Sequence, residues 1–202
     1  MQRLLVALGL ALALAGLPAT AIGGAQQYEP LAASVRAAMS ADIADRAPAS
    51  LQFENSEDGR KWMAEMSVRL LRRIPDRKTR VDFLSALHYE ARRAGLDPQM
   101  VLGLIQVESG FKKYAVSSAG ARGLMQVMPF WVNLIGQKNH NLFNLRMNLR
   151  YGCVILRHYL DIEKGDYYRA LGRYNGSLGK PEYPNAVHAV WKTNWGYDGK
   201  LS

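Results

Sequence analysis

A single cysteine, Cys153, stands among the 202 residues. One thiol cannot close an intrachain disulfide or build the usual thiolate metal site. Set among apolar neighbours, and with no evident pairing to a histidine, it reads as a small buried hydrophobe rather than a nucleophile. The four histidines, His88, His140, His158 and His188, show no HExxH spacing, so no catalytic metal and no cofactor are expected. No segment alternates apolar and polar residues over a strand length, which argues against a sheet. No apolar run reaches the roughly 20 residues of a bilayer span, so a stable membrane anchor is not expected.

What is present is a globular composition, 49% hydrophobic and 21% charged, long enough for one domain with an accessory segment. Arg3, the apolar run Leu4 to Leu17, Pro18 and the small residues that follow read as a secretory signal peptide cleaved near Ala21 or Ala25, which implies a periplasmic protein. The formal net charge is +9, and loss of Arg3 with the leader would leave +8. An exported basic protein suits an anionic partner, for which DNA, lipid headgroups and cell-wall peptidoglycan all qualify, and export argues against DNA, so no nucleic acid partner is expected. A merely solvated basic surface is the alternative, because the Arg and Lys residues are spread along the chain.

The periodicity is helical throughout. Residues 28–44 carry Leu31, Val35, Met39 and Ile43 at helical intervals, ended by Ala47-Pro48. Ser56-Glu57-Asp58 opens a second helix with the stripe Trp62, Met66, Leu70 and Ile74, stopped by Pro75. These two helices form an N-terminal segment, 26–75, expected to pack on a second unit, 76–202. Arg80 to Ala94 reads as a helix closed by Gly95, and Asp97-Pro98 as the N-cap and first position of the next, running to about Ser109. Residues 112–122 form a loop, 145–161 a strong helix, 166–173 a helix capped by Asn175-Gly176, and Tyr183-Pro184 starts the last helix. The fold class is all-α.

On the Asp97 helix, Val101, Leu104, Ile105 and Glu108 share one stripe, making Glu108 the only charge on the buried face. Burial and the negative end of the helix both disfavour its ionised form, so its pKa should rise well above about 4.3. That is what a general acid working near neutral pH requires. A glycosidase normally uses two carboxyl groups, and no convincing partner for Glu108 exists. Glu90 reads as a surface or ion-paired residue, while Asp97, Asp161, Glu163 and Asp166 lie near helix ends, where acids cap or are solvated. The second carboxylate is dispensable if the nucleophile belongs to the substrate. A hydroxyl of the sugar could then attack its own anomeric carbon, with one residue serving as acid and then base.

Three motifs bear on this chemistry: Glu108-Ser109 within Ile105-Gln-Val-Glu-Ser-Gly-Phe111; Gly123-Leu-Met-Gln126 with Pro129 after it; and Ala170-Leu-Gly-Arg-Tyr174-Asn175-Gly176. With the intervening Ser117-Ser-Ala-Gly-Ala121, the chain over about residues 80 to 192 resembles a family 1 lytic transglycosylase, a lysozyme-like helical domain related in fold to goose-type lysozyme. The resemblance implies that Glu108 is the acid/base, that Ser117 bonds near it and the muramyl group, and that Gln126 contacts the sugar. It also implies that Met125 lines the cleft and that Tyr174 and Asn175 close over the site, a tyrosine hydroxyl orienting the carboxyl. The chain departs from the family pattern in the last motif, where Arg173 precedes Tyr174 and Gly176 follows Asn175 directly. The implied activity is cleavage of the β-1,4 MurNAc-GlcNAc bond in peptidoglycan glycan strands with formation of 1,6-anhydroMurNAc ends, and a cell-wall or secretion-machinery protein is a candidate further partner. A hydrolytic muramidase on the same fold and a non-catalytic wall-binding scaffold are the alternatives. Without the resemblance, Ser109 and Ser117 would be ordinary helix-end and loop serines. Met128 reads as core filler, and Trp191, Trp195 and Tyr197 as docked on the core.

Overall fold

The helix starts are set by side chains that satisfy the free N–H groups of a first turn. Ser56 accepts from Gly59 N, Asp76 from Thr79 N, Asp97 from Gln99 N, Asn144 from Met147 N and Asp166 from Arg169 N. The computed structural model describes residues 24–45 and 56–199. Within them run α1 (Ala33–Ala44), α2 (Glu57–Leu70), α3 (Arg77–Arg93), α4 (Pro98–Ser109), α5 (Phe130–Ile135), α6 (Leu145–Ile162), α7 (Tyr167–Asn175) and α8 (Glu182–Asn194). The only extended pairing among the described residues is a pair of isolated bridges, Val116 with Arg122 and Arg122 with Val127, so the protein is all-α. The signal peptide expected at the N-terminus lies outside the described residues except at its last two positions, as does the Ala47-Pro48 break. Among the described residues no helix is long and apolar enough to cross a membrane.

The first helix begins at Ala33 rather than at Tyr28 as its periodicity suggested. Pro30 disfavours the helical conformation for the residue before it, and Gly24 to Pro30 run instead as a strap without regular secondary structure. The N-terminal helices contribute Met39, Ile43, Trp62, Met66 and Leu70 to the same core cluster as Leu84, Leu104, Ile155 and Tyr174. A buried ion cluster reinforces this packing. Glu90 of α3, 1% exposed, accepts from Arg150 of α6 (2.8 and 3.1 Å) and from Arg93 (3.3 Å). Arg150 also donates to the carbonyls of Ile43 and Asp45 at the end of α1. Glu90 is thus ion-paired inside the protein, held by two cations.

Two helices frame the region of Glu108. Gly103 on α4 lets α8 approach closely, since a Cβ there would lie 3.2 Å from the backbone of Trp191. Trp195, just past α8, is buried and donates from Nε1 to Gln106 Oε1 at 3.0 Å. The C-terminal part of α8 is thereby packed directly on α4.

Candidate active site

Glu108 is the penultimate residue of α4, which ends in left-handed Gly110 (φ 57°) followed by left-handed Phe111 (φ 68°). Two such residues in succession turn the chain sharply, and Phe111 is held by burial against the edges of Phe83 and Trp195. Ser109, buried beside Glu108, donates its hydroxyl to Leu124 O at 2.8 Å, with Ile105 O at 3.2 Å. That bond ties the end of the helix to the Gly123–Gln126 loop, so Ser109 is a strut.

The loop itself is fastened from three sides. Asn148 on α6, 1% exposed, accepts from Met125 N at 2.8 Å and donates to Arg122 O (2.9 Å) and Leu142 O (2.8 Å). Its three bonds saturate an amide that would otherwise be costly to bury. Tyr174 on α7, fully buried, donates its hydroxyl to Met125 O at 2.7 Å. Gln126, in the left-handed region at φ 49°, folds its side chain back to donate to Gly123 O (2.8 Å) and Ala115 O (3.3 Å). Gly123 is required here: φ is +77°, and a Cβ would fall 2.4 Å from Asn148 Nδ2 and 2.7 Å from Leu142 O.

Against this frame the Glu108 carboxyl meets one hydroxyl. Tyr183, in the first turn of α8 and 1% exposed, donates to Glu108 Oε1 at 2.5 Å. Burial pushes the carboxyl up to about 8 from an ordinary 4.5, and the Tyr183 bond pulls the other way. Desolvation wins, and at neutral pH most molecules carry the proton. Burial raises the Tyr183 and Tyr174 hydroxyls well above their usual range, and the proximity of Glu108 adds to it. Tyr183 is therefore a fixed donor. Its bond engages Oε1, leaving Oε2 free to carry and release a proton.

The other acids are engaged elsewhere. Asp97 and Asp166 cap α4 and α7, Asp161 pairs with Arg157, and Glu163 receives both Arg169 and Arg173. Among the described residues no group of three or more His, Cys, Asp or Glu could hold a metal. Ser117 is half-buried, and its Oγ accepts from Ala121 N at 3.1 Å, closing the tight turn in which Gly120 N donates to Ser117 O. Met125 is fully buried against Gly152, where a Cβ would lie 2.3 Å from its sulfur. Asn175 ends α7 and is 1% exposed. The structure thus joins Ser109, Met125, Gln126 and Tyr174 in one bonded frame, while the Ser117 hydroxyl serves its own turn. Two residues escape a reading of the sequence alone, Tyr183 and Asn148. Tyr183 sits on a stripe with Val187, Val190 and Trp191 and so looks like packing. Asn148 shows only as a poor helix former inside an apolar helix.

Residues 85–186, just over half of the chain, match the transglycosylase SLT domain. The chain belongs to the transglycosylase SLT domain family. Among individual relatives, the chain is 49% identical over 47 residues to membrane-bound lytic murein transglycosylase C of Mannheimia succiniciproducens, a stretch covering 23% of this chain and 13% of that one. It is 33% identical over 111 residues to the transglycosylase of Enterobacteria phage PRD1, covering 52% of this chain and 36% of the relative. This SLT-domain chain therefore spans a minor part of the curated relatives it matches. An inactive mutant of lytic transglycosylase Slt from Pseudomonas aeruginosa aligns over 56% of this chain and 20% of its own, at 24% identity and a TM-score of 0.42. Glu108, the 115–128 loop, Tyr174 and Tyr183 all fall inside the SLT-domain match, whereas α1, α2 and the strap lie before it.

Proposed function

We propose that this protein is an exported, periplasmic peptidoglycan lytic transglycosylase that cleaves the β-1,4 MurNAc-GlcNAc bond and leaves 1,6-anhydroMurNAc ends. The observation that carries the reading is one carboxyl free of any cation, Glu108, whose pKa burial pushes up to about 8 and which accepts from Tyr183, while the other candidate acids are spent on caps and ion pairs. Glu108 gives its proton to the glycosidic oxygen as the C1–O4 bond breaks. The 2-acetamido group of the muramyl residue supports the charge that develops at C1. The Glu108 carboxylate then takes the proton of the C6 hydroxyl, and O6 bonds to C1. The enzyme regains its proton and no water is consumed. Burial helps twice, since it keeps the acid charged with its proton and makes the carboxylate a strong base once that proton is gone. The net charge of +8 left once Arg3 is lost from the +9 of the full sequence suits the carboxylates of the wall, and a cell-wall or secretion-machinery protein is the kind of partner that would direct the enzyme.

The test is mass spectrometry of muropeptides released from purified sacculi, with Glu108→Gln as control. Products one water lighter than hydrolytic ones, lost in the variant, are expected. Reducing-end products would instead make it a muramidase, and no products would favour a scaffold.

A further inference from the structure

The strap from Gly24 to Pro30 precedes the SLT-domain match and runs across the two segments that the family resemblance assigns to the glycan. A side chain on Gly24 would lie 2.0 Å from Asn175 O and 2.3 Å from Asn175 Oδ1, and one on Gly176 would lie 2.2 Å from Ala25 O. The strap is thus pressed onto the end of α7. Its next residue, Gln26, reaches the other segment: Nε2 donates to Gln126 O at 3.0 Å and Oε1 accepts from Met128 N at 2.8 Å.

Two features set Gln26 apart from an ordinary packing anchor. It is the only buried residue of the strap, 4% exposed, and it is an amide where a segment pinned for stability would bury an apolar side chain. Its neighbours hold loosely. Tyr28 rests edge-on against Phe130 at 5.7 Å while 62% exposed, and Glu29 lies 3.6 Å from Arg173 in a solvent-facing pair. What Gln26 presents is one carbonyl to a backbone N–H and one N–H to a backbone carbonyl. A 2-acetamido group offers the same complementary pair, and every residue of a peptidoglycan glycan carries one.

We infer that the strap segment Gln26–Glu29 is a built-in competitor for the glycan, with the Gln26 carboxamide standing in for a sugar acetamido group at Gln126 O and Met128 N. This rests on the transglycosylase reading above. The strand can seat only when the strap lifts, so apparent affinity is reduced by the fraction of molecules in which it is open. The strap thereby favours long strands that displace it through several contacts over short free sugars.

The test uses the exported, processed protein, its intact mass first establishing that Gln26 is retained. In a Glu108→Gln background, calorimetric titration with chitotetraose is compared for Gln26 and Gln26→Ala. The expected result is about a tenfold lower Kd for Gln26→Ala, the loss of a closed state holding roughly nine molecules in ten. On sacculi, with Glu108 intact, Gln26→Ala should lower KM and leave kcat unchanged. Gln26→Glu, which keeps the length but cannot donate to Gln126 O, should behave like Gln26→Ala. Unchanged or weaker chitotetraose binding in both variants would overturn the proposal, and a lowered melting temperature beside it would make the strap a brace for the loop. The two readings fail separately: absence of anhydro products overturns the transglycosylase reading, whereas absence of an affinity gain overturns the competitor.

Discussion

Replacing Glu108 by Gln should stabilise the protein at alkaline pH. The carboxyl is pushed up to about 8 in the folded protein and has an ordinary value of 4.5 once unfolded. Between those two values the folded state holds a proton that the unfolded chain has released, so stability falls as pH rises. The contribution is fully present below 4.5 and is lost by the time pH has passed 8. The full slope is about 1.4 kcal/mol per pH unit. Glu108 is only half-buried as a residue, and solvent on its open side reduces the total loss to roughly 2–3 kcal/mol. The amide of Glu108→Gln carries no titrating proton yet can still accept from Tyr183, so the variant escapes this loss. Calorimetric melts of both proteins from pH 4.5 to 9 should coincide at the acid end. They should diverge by roughly 4–12 °C above pH 8, from about 2–4 °C per kcal/mol for a domain of this size, with the variant higher. Other titrating groups are common to both proteins and cancel in the difference. Parallel melting curves across the whole range would refute the claim that burial raises this carboxyl.

Tyr183→Phe removes the only hydroxyl found on Glu108 among the described residues. Because that bond lowers the carboxyl pKa, the alkaline limb of the pH–rate profile should move to higher pH, and kcat on sacculi should fall about 10–100-fold through lost orientation. A limb that stays in place would contradict the assignment. Asn148→Ala leaves Met125 N–H and the carbonyl of Leu142 without their partner, while Arg122 O keeps the N–H of Val127. At about 1–3 kcal/mol for each of these two buried groups, denaturant unfolding should show a loss of roughly 2–4 kcal/mol after partial rehydration.

Helix starts and stops are legible in the sequence because a cap is a local event. Asp97 sits two residues before the N–H it accepts from, Gly176 follows Asn175 at the end of α7, and the stripes of α2 and α4 follow from a 3.6-residue period. Glu108 stands out for the same reason, as the one charge on the apolar stripe of α4, without knowledge of what packs there. Helix α1 reads too long from sequence because periodicity in Leu31 and Val35 outweighs the local effect of Pro30. What only the tertiary structure decided is who meets whom. Tyr183 reaches Glu108 across 75 residues, Asn148 holds Met125 across 23, and Gln26 bonds Gln126 across 100. No local pattern encodes those pairings, because each depends on two helices or a strap being pressed together by burial of residues elsewhere. The chemistry of Glu108 divides along the same line. Its place on a helix follows from nearby residues, whereas its proton is held by the low-polarity surroundings that α8 completes.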